Sequence, residues 1–273
     1  RAVVVSHLDS DHIRGMHAFL KWFLEEAELP IDAVYIGRDR AKPTTTGAKL
    51  IAAINRWAKG GRFDMCAPLR EGKSKTIWKS DDAHVDIVLP FYGDREQAWA
   101  DGKEAANLSS AVLRVVRASS AILIGGDATL GSWESLEPKL LPAHVFRAPH
   151  HAGDIDQGKQ SWTAHTLYEK VAAEHVIISV GTRNTDTLPS AVHVGAMGVD
   201  RCRVLCTQLT PRCHPDPMTM RSGYHPRGSG VAPPYRHQRK KDEVPCAGSI
   251  AVWIGDAGTI VMEPPPKGAH HAF

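Results

Sequence analysis

An apolar run leads directly into a cluster of metal-binding side chains near the start of the chain, in the stretch Val3-Val4-Val5-Ser6-His7-Leu8-Asp9-Ser10-Asp11-His12. Consecutive valines favour a β-strand. Side chains alternate along an extended strand, so His7, Asp9 and Asp11 are expected to project the same way, and a turn can bring His12 beside them. Imidazole and carboxylate groups together are typical ligands of divalent metals. The alternative is a polar loop before a helix, with Asp11 as its N-cap.

Two later strands end in residues of the same kind. The run Ala121-Ile122-Leu123-Ile124 ends in Gly125-Gly126-Asp127, and Val145-Phe146-Arg147-Ala148-Pro149 leads into His150-His151. Two metals need about six to eight protein ligands, so partners from distant strands are expected. The glycines let the backbone turn close to the metals, and Asp127 is placed to bridge them. One of the two histidines could be a packing residue, and His150 is favoured as the ligand because it lies nearer the strand end.

Taken in order, these motifs resemble those of the metallo-β-lactamase fold hydrolases, in particular the branch typified by the metal-dependent nuclease domain of the DNA-uptake protein ComEC. That branch has His-x-Asp-x-Asp-His, which the residues from His7 to His12 match. It has Asn-x-x-Ser before a central strand, matched by Asn107-Leu108-Ser109-Ser110, and a later strand followed by Gly-x-x-Asn, matched from Gly181 to Asn184. The resemblance covers the chain from residue 1 to about residue 205.

The resemblance implies an α/β fold of the αββα sandwich type, formed by residues 1–273 as a single domain. It implies a metal-dependent hydrolase, namely a phosphodiesterase or nuclease that acts on DNA through a hydroxide activated by two metals. The expected partition of ligands places His7, Asp9 and one of His150 and His151 on one metal, Asp11 and His12 on the other, and Asp127 between them. Asp11, His12 and Asp127 are the predicted catalytic residues. Three carboxylates favour Mn²⁺, with Zn²⁺ as the alternative.

Four further residues are predicted to contact the substrate or to orient the ligands: Asn107, Arg147, Arg183 and Asn184. For the two asparagines, turn capping is the alternative. The chain departs from the family in three ways, two of which concern the metal site. Strands of the family that precede the metal motif have no counterpart before His7, so a preceding segment or a partner chain is expected to complete the fold. Leu188-Pro189 stands where the family has His-Pro, which removes a candidate phosphate-binding or proton-transferring histidine.

Residues 206–248 form an insertion that the family pattern does not contain. Its Cys206, Cys213 and Cys246, with His214 or His225, could bind a structural zinc ion, with ordinary burial of the cysteines as the equal alternative. Between Arg212 and Lys241 there are seven lysines and arginines and one acidic residue. A segment of this composition is expected to contact the phosphate backbone of a nucleic acid, although a solvated surface loop has the same composition.

Length and composition fit one enzyme-sized domain. A chain of 273 residues can bury a sizeable core. Its net charge of +3 is mildly basic, and no apolar stretch approaches the roughly 18–20 residues that cross a bilayer, so no membrane segment is predicted. Five cysteines form an odd set, which argues against a disulfide framework and predicts a cytoplasmic location. Cys66 and Cys202 are expected to be packing residues.

Apolar periodicity places the remaining elements. Helices are predicted over residues 13–26, 46–59, 133–141 and 162–173. The first has an apolar stripe of Ile13, Met16, Phe19, Leu20 and Phe23, and the second one of Leu50, Ile51, Ile54 and Trp57. Strands are predicted over residues 33–37, 75–78, 85–89, 108–116, 121–124 and 203–208, with a hairpin over residues 249–262.

Three function classes compete at this stage. The leading one is a metal-dependent nuclease. A hydrolase of a small phosphoester, nucleotide or lactone is the second, and an apolar pocket over the metal motif would favour it. The third is a non-catalytic binding or scaffold module, which fewer than about five converging ligands would favour.

Overall fold

The computed structural model of the chain describes residues 1–36, 45–66, 74–89, 105–156, 160–181, 188–198, 201–212, 246 and 250–263. The chain divides into two compact units. The first contains Arg1–Arg114 and Gly126–Leu136, and the second contains Val115–Gly125 and Glu137–Phe273. Both units combine strands with helices, which confirms the predicted α/β class. The αββα layering and the single domain stay predictions.

Parallel strands form the first sheet of the first unit, in the order β1 (Ala2–Val5), β2 (Ala33–Ile36) and β3 (Asp64–Cys66). The same unit contains the antiparallel pair β4 (Lys75–Lys79) and β5 (Ala83–Leu89). β-Branched residues dominate β1, and Val34 in the central strand is fully buried. The strands predicted over residues 33–37, 75–78 and 85–89 are therefore confirmed where the structure describes them.

Helices of the first unit cover Ser10–Ile13, Met16–Lys21, Thr45–Lys59, Ala105–Leu108 and Leu130–Glu134, and a π-helical turn, Trp22–Glu26, continues the second of them. The apolar stripe predicted for helix Thr45–Lys59 is confirmed. Leu50, Ile54 and Trp57 are buried in the same hydrophobic cluster as Val5 of β1. This packing anchors the strand that leads into the metal motif.

The single helix predicted over residues 13–26 is wrong. The first helical turn ends at Ile13, and Gly15 then adopts a left-handed conformation with φ of 93° before the next helix starts. The restarted helix buries Leu20 and Leu24, which lie four residues apart on one face. Phe19, which was predicted to lie in the apolar stripe, is 45% exposed because it projects from a different side of the helix.

Two other predicted boundaries are also wrong. The strand predicted over residues 108–116 is β6 (Val112–Arg117), and Leu108 instead ends a helical turn. The helix predicted over residues 133–141 is replaced by Leu130–Glu134 and a separate 3₁₀ turn, Pro138–Leu140. Proline has no backbone N–H and clashes with the preceding turn, so one helix cannot continue through Pro138.

Among the described residues of the second unit, β7 (Ser120–Ile124), β8 (Val145–Arg147), β9 (His175–Ile178) and β10 (Arg203–Cys206) lie side by side as parallel strands in that order. An antiparallel hairpin, β11 (Ala251–Ile254) and β12 (Ile260–Glu263), packs Met262 against Val145 and Leu205. The predicted hairpin is confirmed. Its turn is closed by the Gly258 N–H, which donates to the Gly255 carbonyl at 2.8 Å.

Among the described residues of the second unit, α-helices cover Ala164–Val171 and Ala191–Met197. Thr163 caps the first of them by accepting a hydrogen bond from the Thr166 N–H, which confirms the core of the helix predicted over residues 162–173. Across the part of the chain that the structure describes, no helix is both long and apolar enough to span a membrane.

The cysteines that the structure describes in the second unit are buried. Cys202 donates to the Met197 carbonyl at 3.3 Å, and burial raises the pKa of its thiol, which fits the predicted packing role. Cys206 and Cys246 are also buried. Cys213, His214 and the side chain of Cys66 lie outside the described residues. The structural zinc site therefore stays a prediction.

A buried histidine links helix Ala164–Val171 to helix Ala191–Met197. The Tyr168 hydroxyl lies 3.0 Å from His193 Nδ1. Burial raises the pKa of Tyr168, so its hydroxyl stays protonated and donates to the imidazole. Burial also lowers the pKa of His193 to about 4, while Asp154 raises it and His150 lowers it by charge interactions. His193 is therefore neutral in the folded protein near neutral pH.

Because the pKa of His193 is lower in the folded chain than its ordinary value near 6.5, the unfolded chain binds a proton first as the pH falls. We expect the free energy of unfolding to fall between about pH 6.5 and pH 4, by about 3 kcal/mol in total. Urea unfolding at several pH values measures this loss. His193→Gln should flatten the dependence, whereas His165→Gln, at an exposed histidine, should leave it intact. Equal slopes in the wild type and His193→Gln would contradict the assignment.

Candidate metal centre

His7 lies at the centre of a cluster of imidazoles and carboxylates in the first unit, and its side chain is fully buried. Strand β1 ends at Val5, so the predicted strand alternation through Asp11 is wrong. A helical turn takes its place, in which the His12 N–H donates to the Asp9 carbonyl at 3.0 Å. This turn brings the ring centroids of His7 and His12 to 4.0 Å, which confirms the predicted role of a turn in placing His12.

Asp127 lies between the two histidines. Its Oδ2 is 3.5 Å from His7 Nε2 and 3.2 Å from His12 Nε2. Asp9 Oδ2 is 3.7 Å from His7 Nε2, and Asp11 Oδ2 is 3.5 Å from His12 Nε2. Each Nε2 atom therefore faces two carboxylates, and the whole predicted His-x-Asp-x-Asp-His motif converges with Asp127.

The spacing of these atoms fits a shared metal ion better than direct hydrogen bonds. A charge-assisted N–H···O hydrogen bond is about 2.7–2.9 Å long. Two ligand atoms that each lie about 2.1 Å from a tetrahedral ion are roughly 3.4 Å apart. The 3.5 Å between His7 Nε2 and Asp127 Oδ2 matches the second arrangement. Ligand atoms of Asp11, His12 and Asp127 all lie within 4.8 Å of one another, so these residues could hold a divalent metal.

Exposure differs across the cluster. The side chain of Asp127 is 4% exposed and that of His12 is 13% exposed, whereas Asp9 and Asp11 are 46% and 63% exposed. A buried carboxylate needs a neighbouring cation, either a protonated histidine or a bound metal, to offset its desolvation. The donor set is thus closed on the side of Asp127 and open to solvent on the side of Asp9 and Asp11.

The backbone before Asp127 requires a glycine, as the sequence predicts. Gly126 has φ of 53°, and a Cβ atom there would lie 2.7 Å from the Ala111 carbonyl oxygen and would collide with Ser110 Oγ. Ser110 Oγ accepts the Asp127 N–H at 2.8 Å. After Asp127, the Trp133 indole N–H donates to the Ala128 carbonyl at 3.1 Å. The loop is therefore held on both sides of the ligand.

Two serine hydroxyls lie behind the histidine rings. Ser6 Oγ is 3.2 Å from His7 Nδ1 and 3.4 Å from His12 Nδ1, and Ser110 Oγ is 3.3 Å from His7 Nδ1. Sequence reasoning missed Ser6 and treated Ser110 only as part of a family motif. The signal for Ser6 was its position between the valine run and His7, but serines in such positions are too common to be diagnostic.

His150 and His151 belong to a 3₁₀ turn of the second unit, Pro149–Ala152, and have φ of 49° and 55°. His150 Nδ1 lies 2.6 Å from the Asp154 carbonyl, and His151 Nδ1 lies 2.7 Å from the Ser179 carbonyl. Because a carbonyl only accepts, each Nδ1 carries the proton, and Nε2 of each neutral ring keeps its lone pair. This tautomer suits a metal ligand. The assignment of either histidine to the metal stays a prediction.

The remaining predicted residues are placed only in part. Asn107 lies within the helical turn Ala105–Leu108, and its carbonyl accepts the Ser110 N–H at 3.1 Å. Arg147 ends β8, where its carbonyl accepts the Gly125 N–H at 3.1 Å. Arg183 and Asn184 lie outside the described residues, as does the basic segment except Arg212. Substrate contacts of these residues stay predictions.

The sequence matches no family model and no curated protein. Among solved structures, a mutant of the CmlA beta-hydroxylase is similar to this chain at 11% identity and a TM-score of 0.36, over 64% of this chain and 35% of that chain. This chain therefore spans about a third of the length of that enzyme.

Proposed function

We propose that the chain is a metal-dependent hydrolase that cleaves phosphodiester bonds in DNA. The observation that carries the proposal is the convergence of two imidazoles and three carboxylates, spaced as ligands of a divalent metal. The motif resemblance to the ComEC-like branch of the metallo-β-lactamase fold hydrolases supports the reaction class. The basic composition of residues 212–241 supports an anionic polymer as the substrate.

His7, His12 and Asp127 would hold metal on the buried side of the cluster, and Asp9 and Asp11 on the exposed side. A bound divalent ion supplies Lewis-acid chemistry, since it lowers the pKa of water and offsets charge that develops on a phosphoryl group. Three carboxylates favour Mn²⁺ over Zn²⁺. The exposure of Asp9 and Asp11 leaves this side open to a substrate.

The remaining predicted roles belong to the same proposal. One of His150 and His151 adds a ligand through Nε2, and a second metal ion is bound. Asn107, Arg147, Arg183 and Asn184 contact the substrate. Cys206, Cys213, His214 and Cys246 bind a structural zinc ion, and the fold is an αββα sandwich that acts in the cytoplasm.

Cleavage of end-labelled single- and double-stranded DNA in Mn²⁺, Mg²⁺ or Zn²⁺ tests the proposal. The wild type should cut DNA, and a chelator should stop it. The double variant Asp11→Ala/His12→Ala should lose at least about 100-fold in rate, since it removes two ligands. Asp82→Ala/His84→Ala removes the same residue types from the region of the β4–β5 hairpin and should cut like the wild type.

Bound metal is measured in the same preparations by equilibrium dialysis. Metal binding without cleavage of DNA or RNA would replace the nuclease by a hydrolase of a small phosphoester, nucleotide or lactone. Neither cleavage nor metal binding would leave a non-catalytic binding or scaffold module.

A further inference from the structure

We propose that Ser110 is a positioning residue, whose hydroxyl holds the His7 ring and the Asp127 loop in the arrangement that binds metal. The inference rests on the proposed metal-dependent function. Ser110 contacts His7 at Nδ1 and Asp127 at its backbone N–H, so its role needs no contact with metal or substrate.

One buried hydroxyl joins two ligand segments that are distant in sequence. Ser110 has no exposed surface. Its Oγ accepts the Asp127 N–H at 2.8 Å, across 17 residues, and lies 3.3 Å from Nδ1 of His7, across 103 residues. The Ala111 N–H also donates to the Ser6 carbonyl at 2.9 Å, which ties the backbone next to His7 to the backbone next to Ser110. A shift of Ser110 would therefore move His7 and Asp127 relative to each other.

The same hydroxyl, together with that of Ser6, favours the tautomer of His7 that can bind metal. A serine oxygen has two lone pairs, and the Asp127 N–H occupies one of them. The second can accept a hydrogen bond from the Nδ1–H of His7, which leaves the lone pair of Nε2 directed at the carboxylates. The opposite tautomer would need an Nε2–H donor, but the nearest carboxylate oxygens, at 3.5 Å and 3.7 Å, are too distant for a good hydrogen bond.

Ser6 repeats this arrangement for both rings. Its Oγ lies within hydrogen-bond distance of Nδ1 of His7 and of His12. Gly126 leaves the space that the Ser110 hydroxyl fills, since a Cβ at that position would collide with it. Ser110 and Gly126 thus act together to bring His7 and Asp127, which come from separate segments of the chain, to one place.

The test compares Ser110→Ala with the wild type by calorimetric titration of the full chain with Mn²⁺. Loss of an outer hydrogen bond to a ligand typically weakens metal affinity by about 10–100-fold, and this is the expected result. Ser132→Ala is the matched control, because Ser132 is equally buried in the same unit but its Oγ lies 3.4 Å from Thr129 Oγ1. It should lose stability without losing affinity for Mn²⁺.

Nitrogen NMR of the metal-free protein gives a second readout, namely which ring nitrogen of His7 carries the proton. A loss of stability alone does not change this readout. His7 should carry its proton on Nδ1 in the wild type and in Ser132→Ala. In Ser110→Ala it should shift only partly towards the Nε2–H tautomer, because Ser6 Oγ still lies 3.2 Å from Nδ1. An Nε2–H tautomer of His7 in the wild type would overturn the positioning role, whether or not Ser110→Ala folds. Unchanged Mn²⁺ affinity in Ser110→Ala would also overturn it and leave the proposed function standing. A wild type that binds no Mn²⁺ would overturn both.

Discussion

Asp127→Asn should weaken the binding of Mn²⁺ by at least about 100-fold, or about 2.7 kcal/mol of binding free energy. Asp127 Oδ2 is the oxygen that faces Nε2 of both His7 and His12, so its loss affects every ion that those histidines hold. Asparagine has the same shape but no charge and one oxygen fewer. The substitution therefore tests the ligand with little change in packing.

The Tm of the metal-free protein distinguishes a metal ligand from a residue that only stabilises the fold. Three carboxylates converge in this cluster, and without a cation they repel one another. Asp127→Asn relieves that repulsion, so we expect its metal-free Tm to be no lower than that of the wild type. Mn²⁺ should then raise the Tm of the wild type, by an amount equivalent to about 2.7 kcal/mol at 100 times the Kd, and should leave the variant almost unchanged.

Asp86→Asn is the matched control for this experiment. Asp86 is also a buried aspartate of the first unit, but it accepts a hydrogen bond from Thr76 and lies beside His84. Its substitution should change stability and leave Mn²⁺ affinity intact. Thermal unfolding with and without Mn²⁺, together with calorimetric titration, measures both quantities. If Asp127→Asn binds Mn²⁺ as tightly as the wild type, Asp127 is not a ligand.

Local patterns predicted much of the fold and most of the candidate site. The buried face of helix Thr45–Lys59 can be predicted from its apolar stripe, and the burial of β1 from its valines. The ligand cluster was predictable because four of its members lie within six residues, and Asp127 follows an apolar strand with two glycines. In each case the information lies within a short stretch of chain.

Contacts across long sequence separations were not predictable in this way. The hydroxyl of Ser110 meets His7 only because two segments 103 residues apart are packed together. The break at Gly15 was missed because a single glycine inside an apolar periodicity does not state whether it adopts a left-handed φ. For the same reason, strand alternation was extended past Val5, where the chain turns into a helical segment.

Gly126→Ala should lower the free energy of unfolding by about 3 kcal/mol, from left-handed backbone strain of about 1–2 kcal/mol and a steric collision of similar size. The added methyl group would lie 2.7 Å from the Ala111 carbonyl oxygen, which is backbone and cannot swing away. Moving the loop to relieve the collision would break the hydrogen bond from the Asp127 N–H to Ser110. Mn²⁺ affinity should therefore fall together with stability.

Gly61→Ala separates the backbone strain from the steric collision. Gly61 has φ of 71° and lies in the same unit, but a Cβ atom there meets nothing within 4 Å. This variant should lose only the strain of the left-handed conformation, about 1–2 kcal/mol, and keep its affinity for Mn²⁺. Urea unfolding of both variants, with calorimetric titration by Mn²⁺, measures the difference that belongs to the collision. Equal losses in the two variants would mean that the loop before Asp127 can move aside, and that Gly126 serves only to supply its φ.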